Sequence, residues 1–340
     1  MPATLVLLSC LAVAHAQSDA VGDTTPGEAT GTFSVAVIGS AGEETERETA
    51  EALRAIDGTG ARFVVHFDLS KPSDVSCSDA SLERRRRLLD ASAKPVVPVV
   101  AASEWADCKG VSDPLERLSR IGDTLFDGDD SLGQTRLQWL RQTAVPRFHR
   151  YRENLRWQIG RVLFMTLNLP DNNNNFRIGA GRNGEFDERA IANRAWLERS
   201  FRVATERRLA GVVLFVDAAP RFAMQMRSPD VRSRERDGYY EWKLAMRDVM
   251  ASYKGQVLLV QAHRAATPEV PRRDESEHPL HDAANRPVEN LRRVAFVDRA
   301  GPMQWMRIDI DDSSARVFGV RSERAFDDPS GELYGPARPR

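Results

Sequence analysis

TFSVAVIG, residues 32–39, is the stretch on which the fold turns. It is a run of apolar and small residues that ends in Gly, the signature of a buried strand followed by a turn. The next segment changes period. EETERETAEALRAID (43–57) places Ala50, Leu53 and Ile56 on one face of a helix. ARFVVHFDL (61–69) then returns to strand, SDASLERRRRLLDASA (78–93) to helix, and KPVVPVVAA (94–102) to strand, with Pro98 expected at an edge or bend. Strands alternating with helices predict parallel βαβ units, and their near-continuous apolar runs predict burial on both faces.

The middle of the chain follows a different order. DPLERLSRIGDTLF (113–126) reads as helix, and NLRWQIGRVLFMTLNLP (154–170) as two strands about a turn at Gly160. NRAWLERSFRVATERRLA (193–210) is a long amphipathic helix, and AGVVLFVDAAP (210–220) and GQVLLVQAH (255–263) are buried strands. LRRVAFVD, MQWMRIDID and ARVFGV close residues 291–320 as short strands with no helix between them. This order predicts an α/β protein of two stacked mixed sheets between helical layers, with a single open parallel sheet as the alternative. One domain, residues 32–323, is expected, followed by a Pro-, Gly- and Arg-rich tail at 324–340.

Hydrophobic residues at 41% and charged residues at 29% fit a soluble globular chain. The net charge of −1 leaves no global field that would attract nucleic acid or an anionic membrane. The N-terminus, MPATLVLLSCLAVAHAQ, has an apolar core at Leu5–Ala14 and small residues around His15. It reads as a signal peptide of residues 1–16, cut near Ala16, with export to the periplasm or beyond. A buried N-terminal element and a lipoprotein signal at Cys10 are the alternatives. Residues 17–31 read as a flexible linker, and no later segment is apolar enough to span a bilayer. Removal of residues 1–16 leaves Cys77 and Cys108. In an oxidising compartment they either pair, closing a loop for about 3–4 kcal/mol, or remain two buried thiols.

Most motif-like strings have plain readings. GAGRNG (179–184) matches the dinucleotide pattern GxGxxG but follows an Asn-rich loop, and no suitable helix is expected to open from it. DNNNN (171–175) reads as a turn. The Arg84–Arg87 run reads as the solvated face of its helix. GSAG (39–42) lacks the spacing of a nucleophile elbow.

The strand ends carry the chemistry, because ligands of α/β sheets gather there. They hold Ser40, then His66 and Asp68, then Ser103 and Glu104, then Asp217, then Gln261 and His263. A two-residue period puts His66 and Asp68 on one face, and Gln261 and His263 likewise.

TFSVAVIG, ARFVVHFDLSK, CSDASLERRRRLLDASAKPVV, SEWADC, DPLERL, LFMTLNLPDNNNN, ANRAWLERSF and PMQWMRIDID together resemble an exported bacterial branch of the calcineurin-like metallophosphoesterase superfamily, over residues 32–321. The resemblance implies a four-layer α/β/β/α sandwich with two metal ions held by Asp, His and Asn at strand ends, where they clamp a phosphate and activate water. The family's ligand slots hold other residues here. The first strand ends in Ser40 in place of Asp. The second reads Phe67-Asp68 in place of Gly-Asp. The third reads Ala101-Ala102-Ser103-Glu104, with Ser103 in the Asn slot. The fourth offers Asp217 without His, and the fifth reads Gln261-Ala262-His263-Arg264-Ala265, with Gln261 and Ala265 where His is expected.

A Ser hydroxyl, a Gln amide and an Ala methyl supply none of the charge that two adjacent divalent ions need. The expectation is therefore an exported, metal-free, non-catalytic binding or scaffold protein, in which Asn168, Asn174 and Arg264 near the old cleft are left to contact an anion. Its partner is not legible. The rival expectation is an active phosphoesterase in which His66, Asp68, Glu104, Asp217 and His263 hold one divalent ion (Mn, Fe or Zn). A third is a metal-independent hydrolase using Ser40 with His66.

Overall fold

The structure is a computed structural model that describes residues 31–40, 46–70, 77–108, 113–177, 183–220, 222, 237–263, 280–297 and 304–324. The signal-peptide reading, the linker up to residue 30, the tail beyond 324, Arg264 and Ala265 lie outside the described residues, as does the side chain of His263.

Eleven strands and five α-helices form among the described residues. The strands build two mixed sheets. The first has the order β11-β10-β1-β2-β3. Its β1 (Thr32–Ser40), β2 (Ala61–Asp68) and β3 (Val96–Val99) run parallel. Its β10 (Gln304–Asp311) is antiparallel to β1, and β11 (Phe318–Arg324) to β10. The second sheet has the order β4-β5-β6-β7-β8-β9. Here β4 (Leu140–Arg141), β5 (Leu155–Ile159) and β6 (Val162–Leu167) are antiparallel neighbours. From β6 onward, β7 (Gly211–Val216), β8 (Gln256–His263) and β9 (Leu291–Val297) are parallel. Pro98 falls in β3, an edge strand, where its missing N–H is tolerated.

The sheets pack face to face. Phe63 of β2 meets Trp157 of β5 and Phe164 of β6 with ring centroids 5.4 and 5.1 Å apart, both edge to face. Alternation then separates the two faces of the second sheet. Val213 and Phe215 join the layer between the sheets, whereas Val212, Leu214 and Val216 join Trp196, Phe201, Trp242 and Met246 on the outer face of the second sheet. Helices α4 (Gly184–Glu206) and α5 (Tyr240–Ser252) supply that outer layer. Helices α1 (Glu46–Asp57), α2 (Asp79–Asp90) and α3 (Pro114–Leu125) bury Leu53, Ile56, Leu82, Leu89 and Ile121 in the core that includes the first sheet. Burial on both faces is why the strands read as continuous apolar runs. Among the described residues no helix is long and apolar enough to cross a membrane.

Three expectations change. Helix α5 was not anticipated. Helix α4 starts at Gly184 rather than near 193, so a helix does open from GAGRNG; what that motif lacks is the strand, since β6 ends at Leu167. The Arg84–Arg87 run is not simply a solvated face. Arg85 is buried beside Leu82 and Leu89, because it stands on their helical stripe at a spacing of three and four residues.

Two carboxylates tie the sheets together at opposite ends. Asp217, just after β7, accepts the N–H of Ala102, just after β3, at 2.9 Å. At the other end Asp312, after β10, accepts the N–H of Arg161 in the β5–β6 turn at 2.8 Å. That turn needs Gly160, whose φ is +54° and whose missing Cβ would lie 2.5 Å from Asp312 Oδ2.

Candidate functional site

All the parallel strands finish at the Asp217 end, and the residues singled out there fall into three groups on different sides of the sandwich.

The first group lies outside the first sheet. Phe63, Val65 and Phe67 join the core that fills the space between the sheets, so His66 and Asp68 point the other way, toward α2. There Arg85 enters from α2 and gathers the polar groups around itself. Its guanidinium donates to Glu104, lies 3.9 Å from Asp68 Oδ2, donates to the Val99 carbonyl at 3.4 Å, and donates to His66 Nδ1 at 3.1 Å. Glu104 sits in a 3₁₀ turn, Ala102–Glu104, and accepts the Ala101 N–H at 2.9 Å through its other oxygen. Asp68 also caps its own turn by accepting the Ser70 N–H at 2.7 Å.

The imidazole chemistry follows from Arg85. A guanidinium can only donate, so His66 Nδ1 accepts and the neutral ring carries its proton on Nε2. That N–H faces Ser40 Oγ at 2.9 Å. Burial first, and the positive charge of Arg85 second, hold the His66 pKa well below its ordinary value, in keeping with a neutral ring. The lone pair of His66 therefore points at Arg85, and Ser40 faces a donor rather than a base. Burial pushes the Glu104 carboxyl up, and Arg85 pulls it down.

A disulfide frames this group. Cys77, just before the Ser78 cap of α2, is bonded to Cys108, beyond the Glu104 turn, and both sulfurs face the Ser103 carbonyl at 3.6 and 3.4 Å. Arg117 of α3 runs a parallel tether: its Nε donates to the Glu104 carbonyl at 3.2 Å and its other nitrogens to Asp79 and the Ser78 carbonyl. Ser103 is buried, and its hydroxyl has no partner among the described residues.

The second group lies outside the second sheet. Gln261 shares its parity with Val257 and Leu259, which pack under α4 and α5. Its amide donates to the Ala218 carbonyl at 3.1 Å and accepts from Arg293 at 3.1 Å, and Arg293 lies over the Phe222 ring at 4.4 Å. Gln261 and His66 are thus separated by both sheets. Between them, beside Gly39, the described neighbours are apolar. A Cβ at Gly39 would meet Leu69 and Phe296 at 2.6 Å each, so these side chains fill the gap. Asp217 lies between the sheets and accepts the N–H groups of Ala102 and Asp171.

The third group surrounds Arg189 of α4. Asn174 accepts from Arg189 and donates to the Gly238 carbonyl at 2.8 Å. The Asn168 side chain donates to Glu153 at 2.8 Å, and its backbone carbonyl accepts from Asn193 at 2.9 Å. Asn173, Asn174 and Asn175 all have φ between +52° and +57°, a conformation Asn tolerates better than most residues. Asn168 and Asn174 are thereby committed to a buried network whose centre is already a cation.

Arg85 and Arg189 are the residues that sequence reasoning missed. Their helical positions give them away: Arg85 lies between Leu82 and Leu89, and Arg189 between Phe186 and Asn193, each on a buried stripe. No family model matches the chain, and no curated protein matches it.

Proposed function

We propose that the chain is an exported, metallophosphoesterase-like sandwich that works as a non-catalytic binding or scaffold protein. One observation carries this reading: the Arg85 guanidinium stands among His66, Asp68 and Glu104 and engages all three. It supplies the positive charge that a metal would supply in an enzyme of that superfamily. The imidazole lone pair and a carboxylate oxygen of Glu104 are spent on it, so a divalent ion placed there would meet a fixed cation and few free donors. This donor set does not fit a dinuclear centre. The placement of Gln261 beyond the second sheet, and the apolar filling by Leu69 and Phe296, support the same reading. The orientation of His66 argues against Ser40 as an activated nucleophile, which would need a base within reach.

The test is metal content. The purified chain is incubated in turn with manganese, iron and zinc, freed of excess, and its bound ions counted by mass spectrometry. No stoichiometric metal in any of the three is the expected result. One ion per chain would favour a mononuclear phosphoesterase, and two would overturn the proposal.

A further inference from the structure

Strand β5 carries a charge that no hydrogen bond or ion pair among the described residues answers. Arg156 stands between Leu155 and Trp157, opposite Met165 of β6 and Leu140 of β4. The Trp157 ring enters the layer between the sheets, so Arg156 points to the outer face, beneath α4. Its guanidinium carbon lies 5.0 Å from the centre of the Trp196 ring. The side chain is fully buried, and Nε and both terminal nitrogens lack a hydrogen-bond partner among the described residues.

The electrostatics point one way. Burial pushes the Arg156 pKa down to about 10, which still leaves it charged at neutral pH. The other charge acting on it is a second cation, Arg207, which Gln158 holds by a 2.9 Å hydrogen bond two residues along the same face of β5. The Trp196 ring face offsets part of the desolvation, but a ring supplies no acceptor and no counter-charge. Trp196 cannot offer its N–H either, since that donates to the Leu155 carbonyl. One turn further along α4, on the same face, the Ser200 hydroxyl is fully buried and also without a partner among the described residues.

We propose that the Arg156 guanidinium holds one small inorganic anion of halide size, enclosed between β5 and α4 on the helix face that carries Trp196 and Ser200. Enclosure sets the size, because Arg156 has no exposed surface through which a larger ligand would extend. Chemistry sets the sign and type: the unmatched groups are donors on a cation, and a halide accepts from several donors while asking for none in return. A water molecule would take up two of the N–H groups and leave the charge in place.

Two measurements on the full chain decide it. Crystals grown in sodium bromide are examined for anomalous scattering, and thermal unfolding is followed in sodium chloride against sodium gluconate at equal ionic strength. The expected results are a bromide peak in contact with Arg156 and a midpoint about 3 °C or more higher in chloride at saturating concentration. The salt difference should vanish in Arg156→Met. No peak at Arg156, or equal midpoints for the natural chain in the two salts, overturns the proposal and leaves enclosed water as the partner. A peak without the midpoint shift is binding at crystal concentration only, and overturns it equally. Both readings come from the natural chain, so a variant that fails to fold does not blunt the test.

Discussion

Arg85 donates to Nδ1 of His66 at 3.1 Å, and this bond fixes the proton of the ring on its other nitrogen. The same guanidinium neutralises Glu104 in a buried setting. Removing one member of such a group strands the others. Arg85→Met is expected to destabilise the fold by about 3–5 kcal/mol. Arg85→Met combined with Glu104→Gln should recover a large part of that loss, because it removes both charges. Urea unfolding of the two single variants and the double variant measures the coupling; strictly additive losses would show that the pair is not coupled.

The pH dependence of stability has a definite sign at His66. Its folded pKa lies well below the ordinary imidazole value of about 6.5. Between the two values the unfolded chain binds more protons than the native one. Stability from this group is therefore complete above about pH 6.5 and is lost as pH falls toward the folded pKa. Burial raises Glu104 and Glu153, and these act in the opposite sense, since the native form takes up their protons first. Comparing His66→Gln with the natural chain separates the terms. The variant should lose less stability between pH 7 and pH 5, as read from denaturant midpoints at several pH values. Parallel profiles would contradict the assignment.

Cys77 and Cys108 are 31 residues apart and joined. Replacing both by Ala should lower stability by about 3–4 kcal/mol in the chain-entropy view. Amide exchange should rise most in the Ala102–Cys108 segment, which the bond and Arg117 hold against α2. Unchanged exchange there, with uniform loss elsewhere, would mean that the bond acts only through the unfolded chain.

Gly160→Ala forces a side chain into a left-handed position and into Asp312. A loss of about 1–3 kcal/mol is expected from the backbone alone, with more from displacing the carboxylate. In an Asp312→Ala background the same substitution should be milder. Equal losses in both backgrounds, measured by thermal unfolding, would rule out the steric account.

The strands were legible because burial on both faces writes an unbroken apolar run into sequence. Their distribution between two sheets was less so, since β1 pairs with β10, more than 260 residues away, and pairing of that range leaves no local mark. Helix α5 did leave one. Trp242, Ala245, Met246, Val249 and Met250 repeat at three- and four-residue spacing, but the stripe sits after a long polar stretch and is easily passed over. The site was readable as a set of strand ends and unreadable as a place. His66 and Gln261 each end a buried strand, yet the parity of Phe63 sends one outward on the first sheet, and that of Val257 and Leu259 sends the other outward on the second. Arg85 resisted because charge runs on helices are usually solvated; only its register with Leu82 and Leu89 marks it as internal.

Asp217 and Asp312 fasten the two sheets at opposite extremities, each through a backbone N–H of the facing sheet. A sandwich riveted at both ends cannot slide one leaf over the other without breaking a buried charged hydrogen bond. Its two sheets therefore move as one plate.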